Sequence, residues 1–106
     1  MNSNIKINSE QELKILRKIE STLDQKSLAS ELGFSVGKIN YILKALIEKG
    51  YIKTERFIQS REKKGYKYLL TPKGIKEKLK LTEAYVKIKK QEYEELQKEL
   101  EESRSR

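Results

Sequence analysis

The side chains of this sequence that could do chemistry are mostly polar and basic, and many of them fall in residues 35–49. Helical spacing predicts that one set points outward: Ser35, Val36, Gly37, Lys38, Asn40, Tyr41 and Lys44. An Asn amide pairs with adenine, and a Lys ammonium binds guanine or phosphate. A Ser hydroxyl with the free N–H groups of a helix start holds phosphate. These residue types predict a recognition helix over 35–49 in the major groove of duplex DNA, although Tyr41 could instead pack under a neighbouring hairpin.

A second basic group lies in residues 56–67 and consists of Arg56, Arg61, Lys63, Lys64 and Lys67. Arg61 stands at the middle of a polar stretch that ends in Gly65, which is typical of a hairpin tip. An Arg there is suited to the minor groove, and the lysines beside it to phosphates. The alternative is a charged tip that is only solvated.

Composition argues against most catalytic classes. The chain has 106 residues, no Cys and no His, which excludes disulfides, thiolate or His metal sites and Ser-His-Asp triads. Its only Asp, Asp24, is better explained as a helix cap. We therefore expect no enzyme, no metal and no cofactor. No apolar run approaches the ~20 residues of a membrane span, so a cytoplasmic protein without a membrane partner is expected.

The positive charge is unevenly distributed along the chain. The net charge is +8, yet residues 51–74 alone carry seven basic against two acidic side chains. Residues 75–90 carry six against two, and residues 91–106 reverse the sign with six Glu against three basic residues. Such polarisation indicates a polyanionic partner, with nucleic acid ahead of acidic proteins or membrane surfaces.

Caps and apolar spacing predict three short helices in the first half. A capping box at Ser9 and Glu12 predicts a helix from about 10 to 20. Asp24 is the expected N-cap of a second helix over 25–32, which Gly33 ends. Ser35 is the expected N-cap of the third, which ends at Lys49-Gly50. Two helices joined by a short Gly-containing turn predict a helix-turn-helix.

The second half predicts a hairpin followed by one long helix. Residues 51–58 and 66–70 are rich in β-branched and aromatic types, and a hairpin directly after a recognition helix is a wing. Thr71-Pro72 then opens a helix from 73 to about 102. The predicted fold is mainly α (α+β), with a winged helix-turn-helix DNA-binding domain over 1–72 and a dimerisation helix over 73–106.

Apolar residues in the long helix follow a heptad. Its a and d positions are Leu79, Val86, Tyr93 and Leu100, and Ile75, Thr82, Lys89 and Leu96. An antiparallel pair would set Ile75 against Leu100 and place the Lys-rich half of each helix beside the Glu-rich half of the other. We therefore expect an antiparallel coiled-coil homodimer. The alternative is a helix that packs back on its own domain.

The run from Leu28 to Ile52, LASELGFSVGKINYILKALIEKGYI, resembles the helix-turn-helix of MarR-type winged-helix regulators. The run from Tyr68 to Thr82, YLLTPKGIKEKLKLT, resembles their wing exit and following helix. The chain most resembles the short MarR-family regulators associated with extracellular polysaccharide gene clusters. The resemblance implies a transcriptional regulator that binds operator DNA as a dimer, and it leaves any small-molecule effector unknown.

Two other function classes stay open at this point. One is an architectural protein that coats DNA without reading sequence, which a charged helix pair would also suit. The other is a winged-helix module whose basic wing binds an acidic protein. Asn40 and Lys38 on the outward face favour sequence reading over coating.

Overall fold

The computed structural model describes residues 8–21, 24–58 and 64–105. Four helices and a hairpin follow one another in the order that the sequence predicts. They are α1 (Ser9–Lys18), α2 (Gln25–Leu32), α3 (Val36–Glu48), β1 (Ile52–Ile58), β2 (Lys64–Leu70) and α4 (Pro72–Arg104). No helix in these ranges is both long and apolar enough to cross a membrane.

Local capping chemistry fixes most of the helix boundaries. The Asp24 carboxylate accepts from the Ser27 N–H at 2.7 Å, and Gly33 ends α2 in the left-handed conformation with φ 72°. The prediction that Ser9 caps α1 is wrong. Asn8 is the N-cap, and its side chain accepts from the Gln11 N–H at 2.8 Å. Both residue types cap well, and Asn8 lies one position earlier, so Ser9 becomes the first helical residue.

The hydrophobic core lies among α1, α2 and α3 and reaches one residue each of β1 and α4. Leu81 of α4 belongs to it with only 8% of its surface exposed. Tyr85, one turn further along α4, packs partly buried against the same core. Its other members are Leu13, Ile15, Leu16, Ile19, Leu28, Ala29, Ile39, Ile42, Leu43, Leu46 and Ile52. The first half of α4 therefore rests on the helical domain, while the division of the chain at residue 72 stays a prediction.

The wing is an antiparallel pair in which Ile52 faces Leu70 and Ile58 faces Lys64. Two side chains join it to the helices. The Gln25 amide at the start of α2 donates to the Tyr68 hydroxyl at 3.1 Å, and the Leu70 N–H donates to the Glu20 carboxylate at 3.4 Å. The base of the hairpin is thus held beside the helix-turn-helix.

The start of α4 is joined to the end of α3. The Thr71 hydroxyl donates to the Gly50 carbonyl at 2.5 Å, and the Lys73 ammonium donates to the Lys49 carbonyl at 2.9 Å. Gly74 lies so close to Tyr51 that an added Cβ would come within 1.8 Å of the Tyr51 carbonyl oxygen. From this junction α4 projects away, and the molecule extends 67 Å along its longest axis.

Candidate nucleic-acid interface

The start of α3 presents hydrogen-bond donors of the kind that suit an anion. The Ser35 hydroxyl oxygen accepts from the Lys38 N–H at 3.0 Å, which leaves the hydroxyl proton free to be donated outward. The helix has 13 residues, and the backbone N–H groups of its first turn point in the same direction. Donors and helix dipole together favour a phosphate at this end.

The predicted outward face of α3 is accessible as a continuous row. Ser35, Val36, Gly37, Tyr41 and Lys44 are exposed, and Lys38 and Asn40 are half-buried. The residues between them, Ile39, Ile42, Leu43 and Leu46, are buried in the core. The helix therefore separates an apolar inner face from an outer face that carries the predicted reading side chains.

Lys38 is partly held in place by the turn before α3. Its ammonium lies 4.8 Å from the centroid of the Phe34 ring, which is a cation–π distance. Phe34 itself packs against the core. The Phe34–Lys38 contact was not predicted from the sequence. The feature that could have indicated it is an aromatic residue four positions before a Lys, with the N-cap Ser35 between them.

Gly37 lies in the first turn of α3, where Gly costs helix propensity. A Cβ built at Gly37 meets no heavy atom within 4 Å among the described residues. Close packing on α2 therefore does not account for this Gly. We expect that Gly37 instead allows close approach of a DNA backbone, which stays a prediction.

The structure locates part of the predicted wing set. Lys67 is exposed on β2 opposite Glu55 of β1. Arg56 lies on β1 and Lys64 on β2, where the backbone alone is described. Arg61 and Lys63 lie outside the described residues. The hairpin extends from the same domain that presents α3.

Comparison with known proteins agrees with this arrangement. Residues 12–53 match the winged helix-turn-helix DNA-binding family. Over 90% of this chain, the structure is similar to a zinc-responsive MarR family member, ZitR of Lactococcus lactis, with 28% identity and a TM-score of 0.62. The chain has the winged helix-turn-helix fold of MarR-type proteins. No curated protein matches it.

Two further solved structures are similar to this MarR-type fold. Wild-type ZitR in complex with DNA has 23% identity and a TM-score of 0.62 over 90% of the chain. Staphylococcus aureus MarR in complex with salicylate and kanamycin has 22% identity and a TM-score of 0.60 over 87%. The chain spans 64%, 63% and 59% of the ZitR, DNA-bound ZitR and MarR chains, less than two thirds of each.

In this MarR-type fold, α4 presents an apolar stripe that its own domain does not cover. The six apolar heptad residues are between 49% and 63% exposed: Ile75, Leu79, Val86, Tyr93, Leu96 and Leu100. Thr82 is exposed as well. The Lys89 ammonium lies 3.8 Å from the Glu10 carboxylate and 3.6 Å from that of Glu92. The helix therefore packs on its domain through Leu81 and Tyr85, and its apolar heptad residues stay exposed.

Sequence reasoning missed a contact of Lys73 with the end of α3 and the burial of Glu12. Lys73 caps the end of α3 through the Lys49 carbonyl and lies 5.4 Å from the centroid of the Tyr51 ring. Glu12 is buried with 6% of its surface exposed, and its Oε1 has no hydrogen-bond partner among the described residues. Burial raises the pKa of Glu12, while nearby Lys49 opposes that rise. No local pattern distinguishes Glu12 from a solvated first-turn Glu.

Proposed function

We propose that this protein is a sequence-specific double-stranded DNA-binding transcriptional regulator that acts as a homodimer. The observation that carries the proposal is the Ser35-capped start of α3, with an accessible row of polar side chains beside it. The match of residues 12–53 to a DNA-binding family and the likeness to a DNA-bound MarR-type structure support it.

In the proposed complex, α3 enters the major groove with its first turns toward the bases. Asn40 reads an adenine, Lys38 leaves the Phe34 ring to reach guanine or phosphate, and Ser35 holds a backbone phosphate. The absence of a side chain at Gly37 leaves room for the sugar-phosphate backbone. The wing follows the backbone or the adjacent minor groove with its basic residues.

The homodimer part of the proposal rests on the exposed stripe of α4. An apolar row that continues for 26 residues along one helix face, from 75 to 100, is typical of a coiled-coil seam. The basic first half and acidic second half of α4 favour an antiparallel partner, because a parallel one sets like charges side by side. A dimer also supplies the two recognition helices that an inverted-repeat site requires.

Selection from a random duplex DNA library at roughly 150 mM salt, followed by sequencing, tests the proposal. We expect enrichment of an inverted repeat with half-sites about one helical turn apart. The matched control is Asn40→Ala, which should lose the preference at one base position of each half-site. Retention without enrichment would favour an architectural DNA-coating protein. No retention at any salt would favour a protein-interaction module.

The resemblance noted from the sequence extends the proposal to the regulated genes. We propose extracellular polysaccharide genes as targets, with the protein acting in the cytoplasm. Sequencing of DNA that is crosslinked to the protein in its own cells should recover promoters of such gene clusters. Recovery of unrelated promoters would remove this part of the proposal and leave the DNA-binding function intact.

A further inference from the structure

A cleft of about 400 Å³ opens between α1 and α4, beside the exposed stripe. Leu13 of α1 and Tyr85 and Val86 of α4 give it an apolar lining, and Lys14 and Arg17 of α1 form a basic rim. Neither basic side chain makes a hydrogen bond or an ion pair with the part of the chain that the structure describes. Apart from the Glu10–Lys89 ion pair, the cleft therefore combines an apolar lining with two basic side chains that no described carboxylate contacts.

The cleft and the stripe share residues. Thr82 and Val86 line the cleft and are also heptad positions of α4. A second α4 that covers the stripe must therefore run along the edge of the cleft. The side chains of the second helix that lie opposite Thr82 and Val86 will therefore point at the cleft or lie next to it.

The antiparallel register identifies that side chain. Pairing Ile75 with Leu100 and Leu79 with Leu96 sets Thr82 against Tyr93 of the second copy. Tyr93 is 61% exposed, so the described residues leave most of this aromatic side chain uncovered. An aromatic ring with a polar tip suits a cleft that is apolar within and charged at its rim.

Charge at this height is complementary. Arg17 of α1 lines the cleft together with Thr82 of α4, and the Glu10–Lys89 ion pair lies in the same cleft. Glu92 precedes Tyr93, so the second copy brings a carboxylate beside Arg17. In the single chain Glu92 contacts Lys89 at 3.6 Å, with more than half of each side chain exposed.

We propose that the cleft between α1 and α4 is the docking site for Tyr93 of a second copy of this chain, with Glu92 of that copy against Arg17. The inference rests on the proposed homodimer and adds α1 to its interface. Each copy docks its Tyr93 in the cleft of the other, so the contact occurs twice. The dimer interface then includes contacts with α1 of the helical domain as well as the coiled-coil seam between the two α4 helices.

Disulfide formation between singly substituted chains tests the docking, because the natural chain has no Cys to interfere. One copy carries a size tag, so that mixed dimers are distinct on a gel. The seam pair is Leu79→Cys mixed with Leu96→Cys, and the cleft pair is Arg17→Cys mixed with Tyr93→Cys. We expect both mixed disulfides.

The two pairs separate the two claims. A seam disulfide without a cleft disulfide would overturn the docking and leave the antiparallel dimer standing. Absence of both would count against the antiparallel homodimer itself. Self-disulfides of Leu79→Cys in preference to the mixed product would indicate a parallel seam, and would overturn the docking as well.

A charge swap provides a second measurement that keeps Tyr93 in place. Arg17→Glu should raise the dimer dissociation constant roughly tenfold, because two symmetric contacts become repulsive. Adding Glu92→Lys to the same chain should restore most of the affinity. Glu94→Lys is the matched control, since it lies about 200° around the helix from Glu92. Equal rescue by Glu94→Lys, or no loss in Arg17→Glu, would refute the assigned contact.

Discussion

The close approach of α4 to the end of α3 predicts that Gly74→Ala is strongly destabilising. An Ala Cβ would lie 1.8 Å from the Tyr51 carbonyl oxygen, 2.8 Å from its carbon and 3.1 Å from the Tyr51 Cα. All three atoms are backbone, so no side chain can rotate away to make room. To relieve this overlap, either α4 or the segment that follows Gly50 must move by more than an ångström.

Such a movement disrupts the contacts that join the two helices. The Thr71 N–H donates to the Tyr51 carbonyl at 3.0 Å, and the Thr71 hydroxyl donates to the Gly50 carbonyl at 2.5 Å. Losing both costs about 2 kcal/mol, and the overpacking itself costs about 2 kcal/mol more. The better helix propensity of Ala returns about 1 kcal/mol. The net loss is about 3 kcal/mol, which lowers Tm by about 15 °C in a chain of this size.

Urea unfolding followed by circular dichroism, at one fixed protein concentration, measures this loss. Gly37→Ala is the matched control, because a Cβ there meets nothing within 4 Å and φ is not left-handed. We expect the control to be as stable as the natural protein or up to about 1 kcal/mol more stable. If Gly74→Ala unfolds within about 0.5 kcal/mol of the natural protein, α4 does not rest on Tyr51 as described.

The remaining predictions concern DNA binding and pH. Arg61→Ala should weaken duplex binding and reduce the slope of log K against log salt by about one per protomer, and an unchanged slope would remove Arg61 from the interface. Asn40→Ala should cost about 1–3 kcal/mol on the preferred site and almost nothing on unrelated duplexes, as measured by fluorescence anisotropy; a uniform loss would assign Asn40 to the backbone. Burial raises the folded-state pKa of Glu12, so its contribution to stability is present at low pH and is lost as the pH rises through that raised pKa. Glu12→Gln should therefore gain stability relative to the natural protein as the pH rises from about 4 through that raised pKa in urea titrations, whereas a constant difference would mean that Glu12 is solvated.

The sequence predicted those elements whose boundaries are set by local chemistry. Three N-caps accept a hydrogen bond from a backbone N–H three residues later, namely Asp24, Ser35 and Thr71. Gly33 ends α2 in the left-handed conformation. Each of these roles depends only on neighbouring residues, so the sequence alone predicts it. The N-cap of α1 was mistaken by one residue because two good capping residues are adjacent. The capping pattern therefore predicts that a helix is present, but it does not determine its first residue to better than one position.

Contacts between distant segments were beyond sequence reasoning. Leu81 lies off the heptad, and only the packing of α4 on α1 shows that it completes the core. The cleft beside it exists because two helices that are about 70 positions apart in the chain meet at an angle. The buried position of Glu12 depends on the same packing. Among the residues predicted to read bases, Lys38 contacts Phe34 because of the geometry of the turn before α3, which residue spacing alone does not predict.

If the protein is the proposed homodimer, the hydrogen bonds that join α3 to α4 make the length of the long helix determine the distance between its two DNA-binding domains. Because the Lys73 and Thr71 contacts prevent the recognition helix from turning independently, the distance between two such helices is set by the length of α4 that separates their domains. One added heptad beyond the cleft would lengthen that separation by about 10 Å. At about 3.4 Å per base pair, this corresponds to a spacer about three base pairs longer. In the proposed homodimer, the length of α4 would therefore set the operator spacing, separately from the residues that are predicted to read the bases.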